Sequence, residues 1–325
     1  MHVIESAMVG EVAAPYLWRV GELRAMFVDA GIELVHAHGM FSTLAIGGLL
    51  AAHGADIPSV TTHHSLLRHS PTLPAAWLTY RCFSRRATIV TAVSEAAAVD
   101  ARRASGRDEV PVLTNGLDRT MWAPAVRLKP DLDAMRVVSV MRLARKKSPG
   151  DLIDAVPKVL ERVRRRVVFT IVGDGPERDR LERQARKLGV AAQVEFLGAC
   201  DPARVASVLH GSDLFVLPGR REAFGIALLE ARAAGLPVVA CASGGVPEVV
   251  EHGRQGLLAN TPEELAEAIV TLVTDDSLRE RFAAASRDGL EAYAWDKVVD
   301  RHEIVYQQAL AARHHPNSRR AHRAR

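Results

Sequence analysis

Short apolar runs alternate with helical stretches along most of this 325-residue chain, and no other feature constrains the fold as strongly. The runs are rich in β-branched residues, as buried strands are. Strands separated by helices pair in parallel, with helices on both faces of the sheet, so the predicted fold class is α/β. The runs are IELVHA, IPSVTT, TIVTAV and VPVL in the first half, and MRVVSV, RVVFTIVG, QVEFLG, DLFVLP and LPVVA after residue 135.

The alternation pauses at residues 115–135, which are rich in proline and aspartate and have no sustained period. Such a stretch is typical of a linker, and the chain is longer than a single core usually is. We therefore expect two Rossmann-like, doubly wound domains, with one large α/β domain as the alternative. The predicted segments are an N-terminal domain (1–122), a linker (123–135), a C-terminal domain (136–295), a helix that crosses back to the first domain (296–312) and a basic tail (313–325).

The first domain is expected to be reduced. It has four strand-like runs against five in the second half, plus a weak candidate in HVIES. It also lacks the glycine-rich turn after an opening strand that such domains often use to approach a phosphate. Either the domain is small or the chain starts late.

Cysteine spacing and the length of the apolar runs indicate the cellular compartment of the protein. The three cysteines, Cys82, Cys200 and Cys241, lie far apart. They lack the spacing of a zinc site or a disulfide framework, which favours a reducing cytoplasm. No apolar run reaches the roughly 20 residues of a membrane helix, and the N-terminus lacks the pattern of a signal peptide. We predict a soluble, cytoplasmic protein.

The net charge of +4 comes from the tail. Residues 313–325 hold five arginines and no acid, so the rest of the chain, at four minus five, has a net charge of −1. Such a tail is usually solvated and disordered, and the alternative is contact with an anionic membrane surface at the inner face of the membrane. Aromatic residues are scarce and form no platform with basic residues, so nucleic acid is not a predicted partner.

Four loops after strand-like runs of the second half form the candidate site, because open parallel sheets bind ligands at the carboxyl ends of their strands. Gly173 and Gly244 would let a ligand approach the backbone closely, although a plain turn explains both glycines equally well. We expect all four loops to face one crevice. They are MRLARKKSPG (141–150), GDGPE (173–177), GRREAFG (219–225) and CASGGVPE (241–248).

Arg142 and Lys147 in the first of these loops are candidate anion ligands. They precede a helix that Pro149 could start, and two cations beside a helix N-terminus suit a diphosphate. The alternative is a solvated basic turn, of which the neighbouring Arg145 and Lys146 would be exposed members.

Two acids, Glu222 and Glu230, lie eight positions apart around a predicted helix start at Gly225. Free N–H groups at that start can receive an anion. Eight residues at 3.6 per turn do not align on one helix face, so the two acids should serve different parts of an extended ligand, such as a ribose and a hexose. The alternative is one helix-start acid and one surface acid.

Histidines cluster in two predicted strands of the first half. His64 ends the run VTTHHS at the sheet edge where ligands bind, so it is a candidate to reach the ligand, although a lone histidine is more often structural. His36 and His38 share a strand face and could form a metal site with His63 or His64. No carboxylate has suitable spacing to complete such a site, so we predict no metal.

Together these motifs resemble the retaining, nucleotide-sugar-dependent glycosyltransferases of family 4, which have the GT-B fold. The resemblance covers roughly residues 30 to 310. The stretch from HAHGMF to VTTHHSLL is most similar to the enzymes that add N-acetylglucosamine to phosphatidylinositol. The matching motifs are E-x7-E (Glu222 to Glu230), R-L-x-x-x-K (Arg142 to Lys147), V-x-T-x-H (Val60 to His64), N-G-x-D (Asn115 to Asp118) and a closing helix with Trp295 and Tyr306.

By this resemblance Arg142 and Lys147 bind the donor diphosphate, Glu230 binds the nucleotide ribose, and Glu222 binds hydroxyls of the donor sugar. His64 contacts that sugar near the reacting centre. The resemblance implies transfer without a metal or cofactor, because cations and a helix end stabilise the leaving diphosphate. Retention is attributed to attack by the acceptor on the same face of the sugar, with the leaving phosphate taking the acceptor's proton.

The resemblance further implies donor contacts from Phe224, Gly225, Ile226, Gly173 and Gly244. It favours UDP-N-acetylglucosamine as donor and leaves the acceptor open among inositol, lipid and saccharide. Family members normally begin with further strands and a glycine-rich loop, whereas this chain starts near the third strand. The alternative function is therefore a shortened homologue that binds nucleotide or acts as a scaffold without transferring sugar. An epimerase of the same fold fits the motifs less well.

Overall fold

Two compact units make up the described part of the chain. The first takes the residues up to Thr114 and those from Val298 onward, and the second is Asn115–Lys297. Each unit has its own parallel β-sheet, which confirms the predicted α/β class. The weak strand candidate HVIES, most of the predicted linker and nearly all of the basic tail lie outside the described residues. The computed structural model describes residues 19–39, 42–66, 73–123 and 134–313.

The sheet of the first unit is small. Its strands are β1 (Val35–His38), β2 (Ser59–His63) and β3 (Ile89–Ala92). They pair in that order and in parallel, with Val60 opposite Ile89. The fourth predicted strand, VPVL, is wrong: only Val112 bridges Ala92, because Pro111 has no N–H to donate to a ladder.

Helices pack against this small sheet. They are α1 (Val20–Asp29), α2 (Thr43–Gly54), α3 (Leu73–Ser84) and α4 (Glu95–Ser105), and most of the closing helix α13 (Trp295–Arg313) also belongs to this unit. Ser42 and Ser94 cap α2 and α4, since each hydroxyl accepts a hydrogen bond from an N–H of the first turn. Val305 and Ala309 of α13 pack on Val60 of β2.

The sheet of the second unit is larger and doubly wound. Its strands are β4 (Ala134–Val140), β5 (Arg166–Val172), β6 (Val194–Gly198), β7 (Leu214–Leu217), β8 (Val238–Cys241) and β9 (Gly256–Ala259). They pair in parallel in the order β6-β5-β4-β7-β8-β9. The order reverses between β4 and β7, at the topological switch point where such sheets bind ligands. The strand β9 was not predicted, because GLLA is short and has no β-branched residue.

The helices of the second unit start at sites that their sequence fixes. They are α5 (Arg119–Trp122), α6 (Pro149–Arg162), α7 (Arg178–Lys187), α8 (Pro202–His210), α9 (Ile226–Ala233), α10 (Val246–Val249), α11 (Pro262–Thr274) and α12 (Asp276–Ala285). Pro149, Pro202 and Pro262 each open a helix where the missing N–H costs nothing, and the predicted start at Pro149 is confirmed. One buried apolar cluster, which includes Ile153 of α6 and Leu265 of α11, joins α6, α7, α11 and α12 to the sheet.

No described helix is both long and apolar enough to cross a membrane.

Candidate functional site

The four predicted loops of the second unit leave the same edge of the sheet. They follow β5, β4, β7 and β8, which are neighbours in that order, so the predicted shared edge is confirmed, and a crevice common to all four loops stays a prediction. Backbone hydrogen bonds tie neighbouring loops together. The Leu143 N–H donates to the Asp174 carbonyl at 2.9 Å, and the Gly245 N–H donates to the Glu222 carbonyl at 3.0 Å. The site therefore has a backbone frame that does not depend on a ligand.

Two glycines in the loop after β5 are explained by packing between loops. A Cβ at Gly173, where φ is 127°, would lie 1.9 Å from the carbonyl oxygen of Met141. A Cβ at Gly175 would lie 2.4 Å from the carbonyl oxygen of Leu143. Only glycine allows the loop after β5 to approach the loop after β4 so closely. Contact of Gly173 with a ligand stays a prediction.

Lys147 and Glu222 meet across two of these loops. Lys147 Nζ donates to Glu222 Oε2 at 2.5 Å, and the Glu222 residue is only 8% exposed. Lys147 ends a short 3₁₀ turn, and Ser148 then takes a left-handed conformation with φ of 50° before α6 begins. That conformation is uncommon for a residue with a Cβ, and such strain is frequent at functional sites. The structure thus joins the cation of one predicted motif to the acid of another.

Arg142 and the neighbouring basic residues differ from Lys147 in their surroundings. Arg142 lies just beyond β4 and is exposed, and its guanidinium has no hydrogen bond or ion pair with the residues that the structure describes. Arg145 and Lys146 are exposed as well, as predicted. Arg142 is therefore free to bind an anion at the edge where the four loops converge.

The N-terminus of α9 is open to an anion. Gly225 is its N-cap, with φ of 94°, which confirms the predicted helix start, and within the described part of the chain no side chain caps the first turn. The first turn also contains no acid, so the positive end of the helix dipole is not compensated there. Phe224 is buried and packs edge-to-face on Tyr293 at 5.8 Å, which anchors the loop, whereas Ile226 is 45% exposed.

Glu230 lies in the second turn of α9 and is mostly buried. Burial raises the pKa of its carboxyl to about 7. Its carboxyl has no hydrogen bond or ion pair within the described ranges of the chain. A carboxylate that is desolvated and unpaired near a cluster of loops is typical of a binding site, because a ligand with hydroxyl groups can supply the missing donors.

The loop after β8 contains a residue that the sequence reasoning missed. The hydroxyl oxygen of Ser243 is buried without a hydrogen-bond partner in the described structure. Gly244 follows it with a positive φ of 58°. The hint in the sequence was a hydroxyl residue directly before the glycine pair SGG, at the end of a strand. A buried hydroxyl without a partner is costly, so Ser243 is a further candidate for ligand contact.

His64 lies in the first unit, directly after β2. Its Nε2 is 2.9 Å from Nδ1 of His38, and burial lowers the pKa of His64 to about 4, with a further contribution from His38. His36 stacks on His38 with ring centroids 4.1 Å apart, as expected for two residues on one strand face. His63 points elsewhere and packs on Tyr80 at 5.0 Å. Within the described ranges, no group of three or more histidine, cysteine or acidic residues is placed to hold a metal ion.

Two protein-family models match this chain. The model for Glycosyltransferase Family 4 matches residues 6–120, and the model for Glycosyl transferases group 1 matches residues 126–289. The chain is 32% identical over 289 residues to a component of the phosphatidylinositol N-acetylglucosaminyltransferase of Arabidopsis thaliana, covering 86% of this chain and 62% of that protein. It is 33% identical over 315 residues to phosphatidyl-myo-inositol mannosyltransferase of Mycobacterium tuberculosis, covering 91% of this chain and 82% of that protein.

Solved structures agree with these matches. Anabaena Alr3699/HepE in complex with UDP and glucose superposes with a TM-score of 0.77 at 26% identity, covering 91% of this chain and 84% of that one. Sucrose-phosphate synthase from Thermosynechococcus elongatus has the same fold, with a TM-score of 0.78 at 22% identity, covering 90% of this chain and 77% of that one. The chain therefore belongs to the glycosyl transferases group 1, the family 4 glycosyltransferases of the GT-B fold, which transfer a sugar from a nucleotide-sugar donor.

Proposed function

We propose that this chain transfers a hexosyl group from a UDP-linked sugar to an acceptor, with retention of anomeric configuration. One observation carries the proposal. Three features lie near one sheet edge of the second unit: the Lys147–Glu222 pair, the start of α9 and the carboxyl of Glu230, the last two without a side-chain partner among the described residues. The start of α9 lacks an anion, and the Glu230 carboxyl lacks a pair of hydroxyl groups that donate to it. The Lys147–Glu222 pair lacks a sugar. Their combination in one ligand is a nucleotide diphosphate sugar.

The diphosphate is assigned to Arg142, Lys147 and the N-terminus of α9. An exposed guanidinium offers two parallel donors to a phosphate, and Lys147 offers a mobile point charge. Lys147 Nζ already donates to Glu222, and an ammonium has three donors, so it can hold that carboxylate and a phosphate at once. As the bond to the sugar breaks, negative charge grows on the diphosphate, and these fixed positive groups stabilise it.

The two acids are assigned to the two sugars of the donor. Glu230 accepts hydrogen bonds from the ribose hydroxyls, which supply the donors that its carboxyl lacks. Glu222 accepts from hydroxyls of the hexose, with the backbone of Phe224, Gly225 and Ile226 beside it. Gly173 and Gly244 complete the loops around the donor.

His64 is assigned to the donor sugar near the reacting carbon, as the family resemblance implies. The acceptor hydroxyl attacks on the face from which the diphosphate leaves. A phosphate oxygen takes the acceptor's proton as the new bond forms. This route needs no nucleophilic side chain, metal or cofactor, because the cations above stabilise the leaving group.

For the sugar and the acceptor we propose N-acetylglucosamine and an inositol-containing lipid. Two similar proteins carry phosphatidylinositol in their names, although the sugars in those names differ. A lipid acceptor places the enzyme at the inner face of the cytoplasmic membrane as a peripheral protein, where the basic tail would contact anionic lipids.

Calorimetric titration of UDP, GDP and ADP into the purified chain tests the donor site. We expect UDP to bind, and we expect Arg142→Ala and Glu230→Ala each to weaken binding by about 1–3 kcal/mol, as lost charge-assisted hydrogen bonds should. Lys146→Ala is the matched control, because Lys146 is exposed on the same loop, and its loss should change binding by less than about 0.5 kcal/mol. Absence of binding by all three nucleotides would contradict the proposed site.

A product assay tests the transfer itself. The chain is incubated with UDP-N-acetylglucosamine or UDP-glucose and with phosphatidylinositol, inositol or a glucan as acceptor, and released UDP is measured. We expect acceptor-dependent release of UDP. Tight UDP binding without release in the presence of any acceptor would instead identify a nucleotide-binding protein that does not transfer sugar.

A further inference from the structure

A group of rings in the first unit surrounds His64. This histidine cluster consists of His36, His38, His64 and His302 with Tyr306. His36 and His302 have ring centroids 5.8 Å apart, and Tyr306 packs edge-to-face on His36 at 5.5 Å. His38 stands between His36, on which it stacks, and His64, to which it is hydrogen-bonded. The cluster thus connects the closing helix to the end of β2.

A chain of hydrogen bonds determines the tautomer of His36. The Thr91 hydroxyl donates to the Thr61 carbonyl at 3.3 Å, so it can only accept from Thr62, whose oxygen lies 2.7 Å away. Thr62 has then used its one proton and must accept from Nε2 of His36 at 2.7 Å. His36 therefore carries its proton on Nε2, and its Nδ1 accepts from the Tyr306 hydroxyl at 2.8 Å. Both nitrogens of His36 are engaged, so its ring is held in one plane.

The fixed ring of His36 in turn holds His38. The two rings stack with an interplanar angle of 29°, which restricts rotation of the His38 side chain. Burial lowers the pKa of His38, and the charge of His302 would lower it further. Burial also lowers the pKa of His64, so both members of the pair are neutral at pH 7.

Each neutral imidazole has one N–H donor and one acceptor nitrogen. His38 Nδ1 and His64 Nε2 lie 2.9 Å apart, so one of these nitrogens donates and the other accepts. The proton position on one ring therefore determines the tautomer of the other. His64 Nδ1 has no partner among the residues that the structure describes. That nitrogen is left for a substrate, and it is a donor when Nε2 accepts from His38 and an acceptor when Nε2 donates.

We propose that His38 is a positioning residue for His64: its hydrogen bond to Nε2 holds the His64 ring in one tautomer and one orientation and leaves Nδ1 for the substrate. The inference rests on the role proposed above for His64. His38 acts only through His64. The hydrogen bond between His36 and Tyr306 fixes the His36 ring, on which His38 stacks. The charged or titratable groups that face the pair are His36 on β1 and His302 and Tyr306 on α13.

Nitrogen-15 NMR of the histidine side chains in the ligand-free, full-length chain tests the pairing directly. We expect one tautomer of His64 in the wild type and a rapidly exchanging mixture in His38→Ala. His38→Asn should restore the hydrogen bond to Nε2 and with it the wild-type His64 signals, because an asparagine amide stands about where Nδ1 stands and can donate or accept as the histidine does. His53→Ala, which changes an exposed histidine of α2 outside the cluster, should leave the His64 signals unchanged.

Turnover separates a positioning role from a structural one. With the UDP-sugar that the wild type consumes, His38→Ala should lower kcat by about 10-fold to 100-fold. The donor KM should stay within about twofold of the wild-type value, and His38→Asn should recover much of the loss. A mixed tautomer of His64 in the wild type, or an unchanged one in His38→Ala, would overturn the inference. Failure of the wild type to bind UDP would instead count against the proposed function and would leave the NMR result as it stands.

Discussion

At the scale of single residues, the burial of Glu230 links the stability of the fold to pH. Burial raises the pKa of its carboxyl to about 7, whereas an unfolded glutamate titrates near 4.3. Between these values the folded chain binds more protons than the unfolded chain, so Glu230 makes stability fall as pH rises through that window. We predict that Glu230→Gln, which stays neutral, is more stable than the wild type by about 1–3 kcal/mol near pH 8. The two chains should differ little near pH 4.

Urea unfolding of both chains across this pH range measures the effect. Glu280→Gln, which changes an exposed acid on α12, is the control and should follow the wild type at every pH. A wild type and a Glu230→Gln variant with parallel stability curves would show that Glu230 is ionised at no cost. The predicted cost has a functional meaning, because ribose hydroxyls that hydrogen-bond to the carboxylate would remove it. UDP should therefore stabilise the wild type more than the variant above pH 7.

At the scale of elements, the approach of the loops after β4 and β5 depends on glycine. Gly173 and Gly189 both have positive φ, but an added Cβ meets the Met141 carbonyl oxygen at 1.9 Å in the first case and nothing within 4 Å in the second. We predict that Gly189→Ala costs about 1 kcal/mol through backbone strain alone. Gly173→Ala should cost at least about 3 kcal/mol, because backbone must move. Chemical denaturation of the two variants checks this, and equal losses would mean that the loops adjust freely.

The strands and loops also show how much of the fold and of the candidate site can be predicted from the sequence. The position of four loops at one sheet edge followed from the alternation of strands and helices, since such strands pair in parallel and their carboxyl ends share an edge. The strand GLLA was missed and the strand VPVL was wrong, because four-residue runs carry too little pattern to outweigh a neighbouring sheet or a proline. The contact between Lys147 and Glu222 could not be predicted, since it depends on how two loops 75 residues apart meet. The same holds for the pair of His38 and His64, 26 residues apart.

At the scale of the whole molecule, the tail is positively charged and the rest of the chain has a small negative net charge. The tail, residues 313–325, holds five arginines, whereas the rest of the chain has a net charge of −1, four minus five. Each arginine near an anionic membrane surface contributes about 1 kcal/mol to binding at low salt, and salt screens the attraction. If the acceptor is a lipid, we therefore expect membrane contact to depend on the tail, which is separate in sequence from the four loops of the candidate site.

We predict that deleting residues 313–325 lowers partition onto vesicles of phosphatidylcholine with about 30% phosphatidylserine by at least tenfold at low salt, because roughly five favourable charges are lost. UDP affinity should not change, since the four loops proposed to bind the donor lie in the second unit. Sedimentation with vesicles and calorimetry measure the two quantities. Replacing the five arginines with glutamine keeps the length of the tail and should give the same loss, and raising the salt should bring the wild type to the level of the variants. If partition is unchanged by the deletion, the membrane contact belongs to another surface and the tail has no part in it.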